Sequence, residues 1–375
     1  KEAIFNETSV LINHGSTAKI GNLYDSGSKI YVVNKSELKI NEDAEFDGTH
    51  LIVKDDSNAT INGALTVWNS GTIEFVDGEF SVNYGGIKID KSNLDVEGEV
   101  RFNNSDTELN NSSNANFKDK LTLIDSAMLL KNGSTLDVGG VADFRDSALV
   151  VQNGSKVMFN DKFTMRNKDK KSIIMLDNGS EINIKGDFEN HGVIYYGARA
   201  YNAPKITVDG KTTLKDTTEI GIYATSGLNQ AVFLESKEAI ENKATDENIY
   251  AMYFDPNNED ANEEGLVKYD QNIIDAVLNL SKDGKKLLVQ ILMSGDMQNK
   301  PINEKIDFIA KSTQTAGINL TAQDLDIITS LFTIEDAKGN GVIATEGMKL
   351  ATQAEQGNQE AAQIISKTAQ SIQKN

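Results

Sequence analysis

The sequence contains no cysteine, three prolines, three histidines and one tryptophan in 375 residues. Without cysteine there is neither a disulfide nor a thiolate metal site. With so few histidines, imidazole chemistry can rest only on His14, His50 or His191. No recognisable nucleophile motif sits beside any of them, and Gly-Asp-Ser-Gly is absent. A Ser-His-Asp centre is therefore not expected. Cations are outnumbered: 37 Lys and Arg face 56 Asp and Glu, a formal charge of −19. That balance argues against nucleic acid or an anionic membrane surface as an electrostatic partner. No apolar run reaches the roughly 18 residues of a spanning helix. The chain opens at Lys1-Glu2 with neither an initiator Met nor a signal peptide, and reads as a processed or excised fragment.

What is present in quantity is Asn, Ser, Asp and Gly, and they recur in step. Ser92, Ser113, Ser134 and Ser155 stand 21 residues apart. Apolar positions keep the same register. One column reads Ile73, Leu94, Ala115, Leu136, Val157, and another Phe75, Val96, Phe117, Val138, Phe159. Further columns are Val100, Leu121, Ala142, Phe163, then Phe102, Leu123, Phe144, Met165, then Leu109, Leu130, Val151. A period near 20 marks stacked units that bury a core only against their neighbours. Within one period, Leu136 and Val138, Ala142 and Phe144, and Leu149 and Val151 form three short alternating runs, each ended by turn residues. Three strands and three turns per 21 residues make one coil of a parallel β-helix. The Asn-Gly pairs suit turns that need positive φ. A leucine-rich repeat does not fit, because no part of the period reads as a helix.

Looser spacing continues the pattern over residues 1–90, and the open strand at residue 1 reads as a site where upstream coils or a cap are missing. Asn167 to Lys171 is a basic insertion into the repeat. Tyr195, Tyr196, Arg199 and Tyr201 form an aromatic cluster, read as a loop and as the candidate binding patch. Trp68, at an alternating position, is a second candidate or simply closes a core layer. Ile206 to Ile222 reads as two short strands. The expected division is a β-helix over 1–225, a β cap over 226–300 and a helical segment over 301–375. In the cap, Ala231 to Leu234, Ile249 to Phe254 and Leu287 to Leu292 are β-type runs, and Ser281 to Lys285 reads as a hairpin turn. Ile273 to Leu280 fits a strand or a short helix. In the last segment, Ile306, Ile309 and Ala310, then Leu325, Ile328, Leu331 and Phe332, then Ala361, Ile364, Ile365, Thr368 and Ile372 keep helical spacing. Thr321 and Asp324 fit a capping box.

Several constellations have both a chemical and a plain reading. Asp137, Asp143, Asp146 and Asp161, with Arg145 and Arg166 near, could serve acid–base glycoside chemistry if paired. Asp125 and Asp146 lie one period apart and would stack. The plainer reading is turn residues on a solvated face. Asp336 to Gly341 has part of a calcium-loop spacing, but Lys338 stands where an oxygen ligand belongs and Glu346 falls one residue early, so a helix–turn–helix is expected. Asp255 to Gly265 is an acidic loop, expected to be solvated. The Gly-Gly-x-Gly-x-Asp repeat of calcium-folded toxins is absent. Asn58 and Asn110 match the acidic-residue bacterial glycosylation pattern. No catalytic residue, metal or cofactor is assigned.

The order of parts (cysteine-free acidic coils, a β cap, then helices) resembles the passenger of a type V autotransporter. Ala231-Val232-Phe233-Leu234 through Glu238-Ala239-Ile240, and Leu280-Ser281-Lys282-Asp283-Gly284-Lys285-Lys286-Leu287, are similar to the C-terminal folding core of such passengers. The texture is similar to the vacuolating-toxin-like and adhesin-like passengers of ε-proteobacteria. The resemblance implies a right-handed coil, as does the handedness of parallel crossovers. It further implies export through the periplasm and outer membrane to the bacterial surface, and helices leading to the protein's own outer-membrane barrel. The expected function is a non-catalytic adhesin or host-contact stalk, with a host receptor or glycan as partner. A toxin or host-modulating passenger, a glycan-cleaving β-helix enzyme and self-association between cells are the other readings.

Overall fold

In the computed structural model the described residues are all but 62–64, 69–71, 76–79, 84–85, 170, 178, 199–202, 225–230, 256, 259–260, 262–264 and 374–375. The chain is a parallel β-solenoid closed at its C-terminal end by helices. Most strands are four residues long, because the coil turns a corner after each one. Successive strands go to three different sheets, so through the parallel coils each strand pairs with the third one after it. Ala3–Asn6, Ser9–Ile12 and Thr17–Ile20 begin the three sheets, which hold 13, 13 and 11 strands among the described residues.

The periodic columns are the actual ladder. Ile73 faces Leu94, Leu94 faces Ala115, Ala115 faces Leu136 and Leu136 faces Val157 in successive parallel pairs. The columns from Val100 and Phe102 are likewise in register through Phe163 and Met165. These side chains are buried, and the phenylalanines touch both within a coil and from one coil to the next. Phe159 and Phe163 stack at 4.2 Å, and Phe163 and Phe188 at 5.5 Å. Edge and stacked aromatic contacts add specificity to the burial of apolar area.

Two serine ladders tie the corners. Ser92 N–H donates to Ser113 Oγ at 3.3 Å, while Ser113 Oγ donates to the Asn110 and Ile89 carbonyls. The second ladder, Ser105, Ser126, Ser147 and Ser172, makes the same N–H to Oγ bond at 3.0 to 3.2 Å. All these serines are buried. The hydroxyls of Ser113, Ser126, Ser147 and Ser172 each satisfy a corner amide that would otherwise be orphaned in the interior. The Asn-Gly turns are left-handed as expected, with φ of 55° and 74° at Asn132 and Gly133, and 53° and 73° at Asn153 and Gly154.

The sequence-based boundary at 226 does not interrupt the coils. Parallel pairing continues through Glu219–Ala224 with Ile249–Phe254, and Thr212–Leu214 with Glu241–Asn242. The direction then reverses. Leu266–Lys268 runs antiparallel to Ile249–Phe254, and the hairpin of Ile274–Leu280 and Lys286–Met293 adds antiparallel to Ala231–Ser236. Ile273 to Leu280 is thus strand, not helix. Tyr195 and Tyr196 are likewise in a strand, Val193–Ala198, not a loop. Residues 206–222 contribute three strands rather than two, Lys205–Val208, Thr212–Leu214 and Glu219–Ala224.

Five helices follow: α1 (Gly295–Asn299), α2 (Ile302–Thr315), α3 (Ala322–Glu335), α4 (Val342–Glu355) and α5 (Gln359–Gln373). The capping box at α3 is present, with Thr321 Oγ1 accepting from Asp324 N–H at 3.1 Å and Asp324 Oδ2 accepting from Thr321 N–H at 2.8 Å. Ile306, Ile309, Ile328, Phe332, Met348 and Ile365 belong to the same apolar cluster as the solenoid interior. The bundle is therefore the end plug of the core. Gln353 Nε2 donates to Tyr269 Oη at 2.6 Å, and Tyr253 Oη donates to Gln356. Ile364 and Ile372, expected on the buried stripe of α5, stand 43% and 42% exposed.

Candidate functional site

The aromatic patch does not open to solvent where it is described. Tyr196 is fully buried, faces Phe233 edge-on at 5.2 Å, and donates to the Pro204 carbonyl at 2.9 Å. Burial pushes its phenol pKa up. Tyr195 is 8% exposed on the opposite face of the same strand. It packs with Met175, Val193, Tyr250, Met252 and Leu266 in a small second core outside the first sheet. Its ring lies over Gly221 of the next coil, where an added Cβ would stand 2.8 Å away. Strand alternation explains the split: consecutive residues face opposite sides. Arg199 and Tyr201 lie outside the described residues, and so does the side chain of Trp68.

The candidate carboxylates occupy different corners and faces. Asp137 accepts from Asn160 Nδ2 at 2.6 Å. Asp161 accepts from the Lys162 amide at 2.7 Å within its own turn. Asp146 accepts from the Lys168 and Asp169 amides, fastening the basic insertion. Asp125 and Asp146 do occupy matching corners, each with a left-handed φ. Only Asp143 meets both expected arginines. It is nearly buried between Arg145, at 2.5 Å, and Arg166, at 3.5 Å.

The partial calcium loop has its cation built in. Lys305 reaches from α2 and its ammonium donates to the Lys338 and Gly339 carbonyls at 2.7 and 3.2 Å and to Asn340 Oδ1 at 2.5 Å. Asp336 instead accepts from the Lys338 and Asn340 amides, and Glu346 pairs with Lys349 at 2.7 Å. Helix–turn–helix is the observed structure. At the start of the acidic loop Asp255 is docked, its Oδ2 accepting from Asn358 Nδ2 at 3.2 Å, while Glu259, Asp260, Glu263 and Glu264 lie outside the described residues. No group of three or more potential metal ligands occurs among the described residues.

What the coils do assemble is a charged outer face on the third sheet. Its middle row is Asp143, Thr164, Glu189, Thr213 and Glu241, each facing the next across a parallel pair. One side carries Arg145, Arg166, His191, Lys215 and Lys243. Arg145 faces Arg166 directly, and the amides of His191, Lys215 and Lys243 continue the same ladder onto Met165, Asn190 and Leu214. On the other side stand Lys162 and Lys211, with Asp187 between them in coil order. Glu189 meets Lys162 at 3.0 Å, His191 Nε2 at 3.0 Å and Lys215 at 3.3 Å. Hydrogen bonds from His191 and the two lysines hold its pKa down to about 2. Glu241 meets Lys211 and Lys243 at 2.7 and 2.9 Å, and these lysines hold it at about 2 as well. The sequence reading found Arg145 and Arg166 but missed the row. The period stretches past residue 166, so a fixed step of 21 does not reach His191, Lys215 or Lys243 from them. Compared with known proteins, the chain matches no family model, no curated protein and no solved structure.

Proposed function

We propose that this chain is a surface-exposed, non-catalytic contact stalk, exported as the passenger of an autotransporter-type protein and acting as an adhesin. The observation that carries the reading is the outside of the solenoid. Three continuous sheets present rows of polar and charged side chains that repeat coil by coil along one axis. A repeating face offers many weak contacts at once, and linked contacts raise avidity without any single strong site. The candidate carboxylates Asp137, Asp143, Asp146 and Asp161 each have separate partners on different corners and faces, which favours contact over acid–base cleavage of a glycan. The reversal of strand direction after Phe254 and the hairpin through Met293 support the resemblance to passenger folding cores. The packed bundle of α2 to α5 plugs the solenoid end. The test is binding of the labelled chain to host epithelial cells over a concentration series, with unlabelled chain as competitor. Saturable, competable binding is expected. Binding no greater than that of an unrelated acidic protein would overturn the reading.

A further inference from the structure

We propose that the basic row of the third sheet, Arg145, Arg166, His191, Lys215 and Lys243, is a binding track for a sulfated polysaccharide laid along the solenoid axis. This deepens the contact-stalk reading and rests on it only for the biological setting. The row has one cationic or imidazole side chain per coil over five coils. Coils repeat at about 4.8 Å, so the row extends about 19 Å, a length that suits several sugar units. Arg145, Arg166 and Lys243 are about half exposed, so their free N–H groups face solvent.

The internal carboxylates do not neutralise the face. Asp143 is shared by two arginines, Glu189 by Lys162, Lys215 and His191, and Glu241 by Lys211 and Lys243. Counting Asp187, four carboxylates stand among six lysines and arginines. The carboxylates fix the cations in one geometry, so ordering costs on binding are reduced, and leave two cations in excess within these three rows. Guanidiniums bind tetrahedral oxyanions through paired N–H donors, and the Thr164 and Thr213 positions separate the acids along the middle row. The overall charge of −19 opposes any polyanion at long range. At physiological salt, charges beyond about 8 Å are screened, so the local row decides.

The face suits a sulfated glycan better than the other polyanions. Single-stranded nucleic acid needs aromatic stacking platforms, and none of these rows holds a Phe, Tyr or Trp. Duplex DNA is read by an element that enters a groove, whereas this face is a sheet. An anionic membrane is held by an apolar face beside the basic one, and these three rows are polar.

The experiment is isothermal titration of the whole chain with a heparin-type sulfated oligosaccharide at physiological and at raised salt. Two variants accompany it: Arg166→Gln/Lys215→Gln/Lys243→Gln on the row, and Lys29→Gln/Lys54→Gln/Lys91→Gln, which removes the same charge elsewhere. Glutamine keeps a donor toward the carboxylates. Circular dichroism checks the fold, and single substitutions of the same three residues replace the triple variant if it unfolds. We expect binding that weakens with salt, a loss on the order of tenfold for the row variant, and little change for the control. No binding by the unaltered chain, or equal loss in both variants, overturns the proposal. So does equally tight binding of DNA or of anionic vesicles. Cell binding without heparin binding overturns this ligand class and leaves the contact stalk standing. Heparin binding without cell binding supports the track and overturns adhesion.

Discussion

At the residue scale, the solenoid depends on places where nothing larger than a hydrogen fits. Gly139 is one: an added Cβ would lie 2.1 Å from the Lys118 carbonyl oxygen of the preceding coil. A backbone atom cannot swing aside as a side chain can. Gly139→Ala should therefore lower stability by about 2 kcal/mol or more, read as a shift of the urea midpoint. Gly295→Ala, at a site with no atom within 4 Å, should leave the midpoint nearly unchanged. Lys305 shows the opposite economy. One buried ammonium serves several acceptors of the Asp336 to Gly341 turn, and a buried cation could not be left without them. The partial calcium spacing was visible in the sequence. The lysine that fills the loop lies more than thirty residues earlier, and local spacing gave no sign of it.

At the element scale, the polar ladders set how the sheets respond to acid. Glu189 has its pKa held to about 2 against an ordinary 4.5, chiefly by His191 and then Lys162. A carboxylate depressed in the folded state stabilises it above about pH 4.5, and that contribution disappears as the pH falls toward 2. Glu241 is shifted in the same direction by Lys211 and Lys243. Stability should fall across this window. Glu189→Gln should flatten the fall, measured as the urea midpoint between pH 5 and pH 2.5. An unchanged slope in the variant would show that Glu189 has the same pKa folded and unfolded. The basic row belongs to this scale too. Five side chains far apart in sequence become one surface only because the coils hold them in register.

At the scale of the whole molecule, a solenoid has two ends, and an unpaired end is a template for aggregation. At the C-terminal end the antiparallel hairpin stops coil growth and α2 to α5 seal the interior, with Tyr253 and Tyr269 bound to Gln356 and Gln353. Removing residues 295–373 should uncover Tyr253, Tyr269 and Met293. The shortened chain should then elute as soluble aggregates in size-exclusion chromatography with light scattering. A monodisperse monomer would show that the helices are dispensable for the solenoid.

The period of 21, with its serine, asparagine and apolar columns, determined by itself that the chain coils into three parallel sheets. The repeat is local information: each coil specifies its own strands, and only one register buries Ile, Leu, Val and Phe together. The helical stripes and the Thr321 capping box were legible for the same reason. Tertiary structure alone decided what depends on contacts between distant segments. It buried Tyr195 and Tyr196 on opposite faces of one strand, since alternation does not reveal whether an outer face will be covered. It directed Lys305 into the Asp336 turn and set the bundle on the solenoid's end. It also lined up Arg145, Arg166, His191, Lys215 and Lys243, because insertions shift the sequence spacing while hydrogen bonding preserves the spatial register.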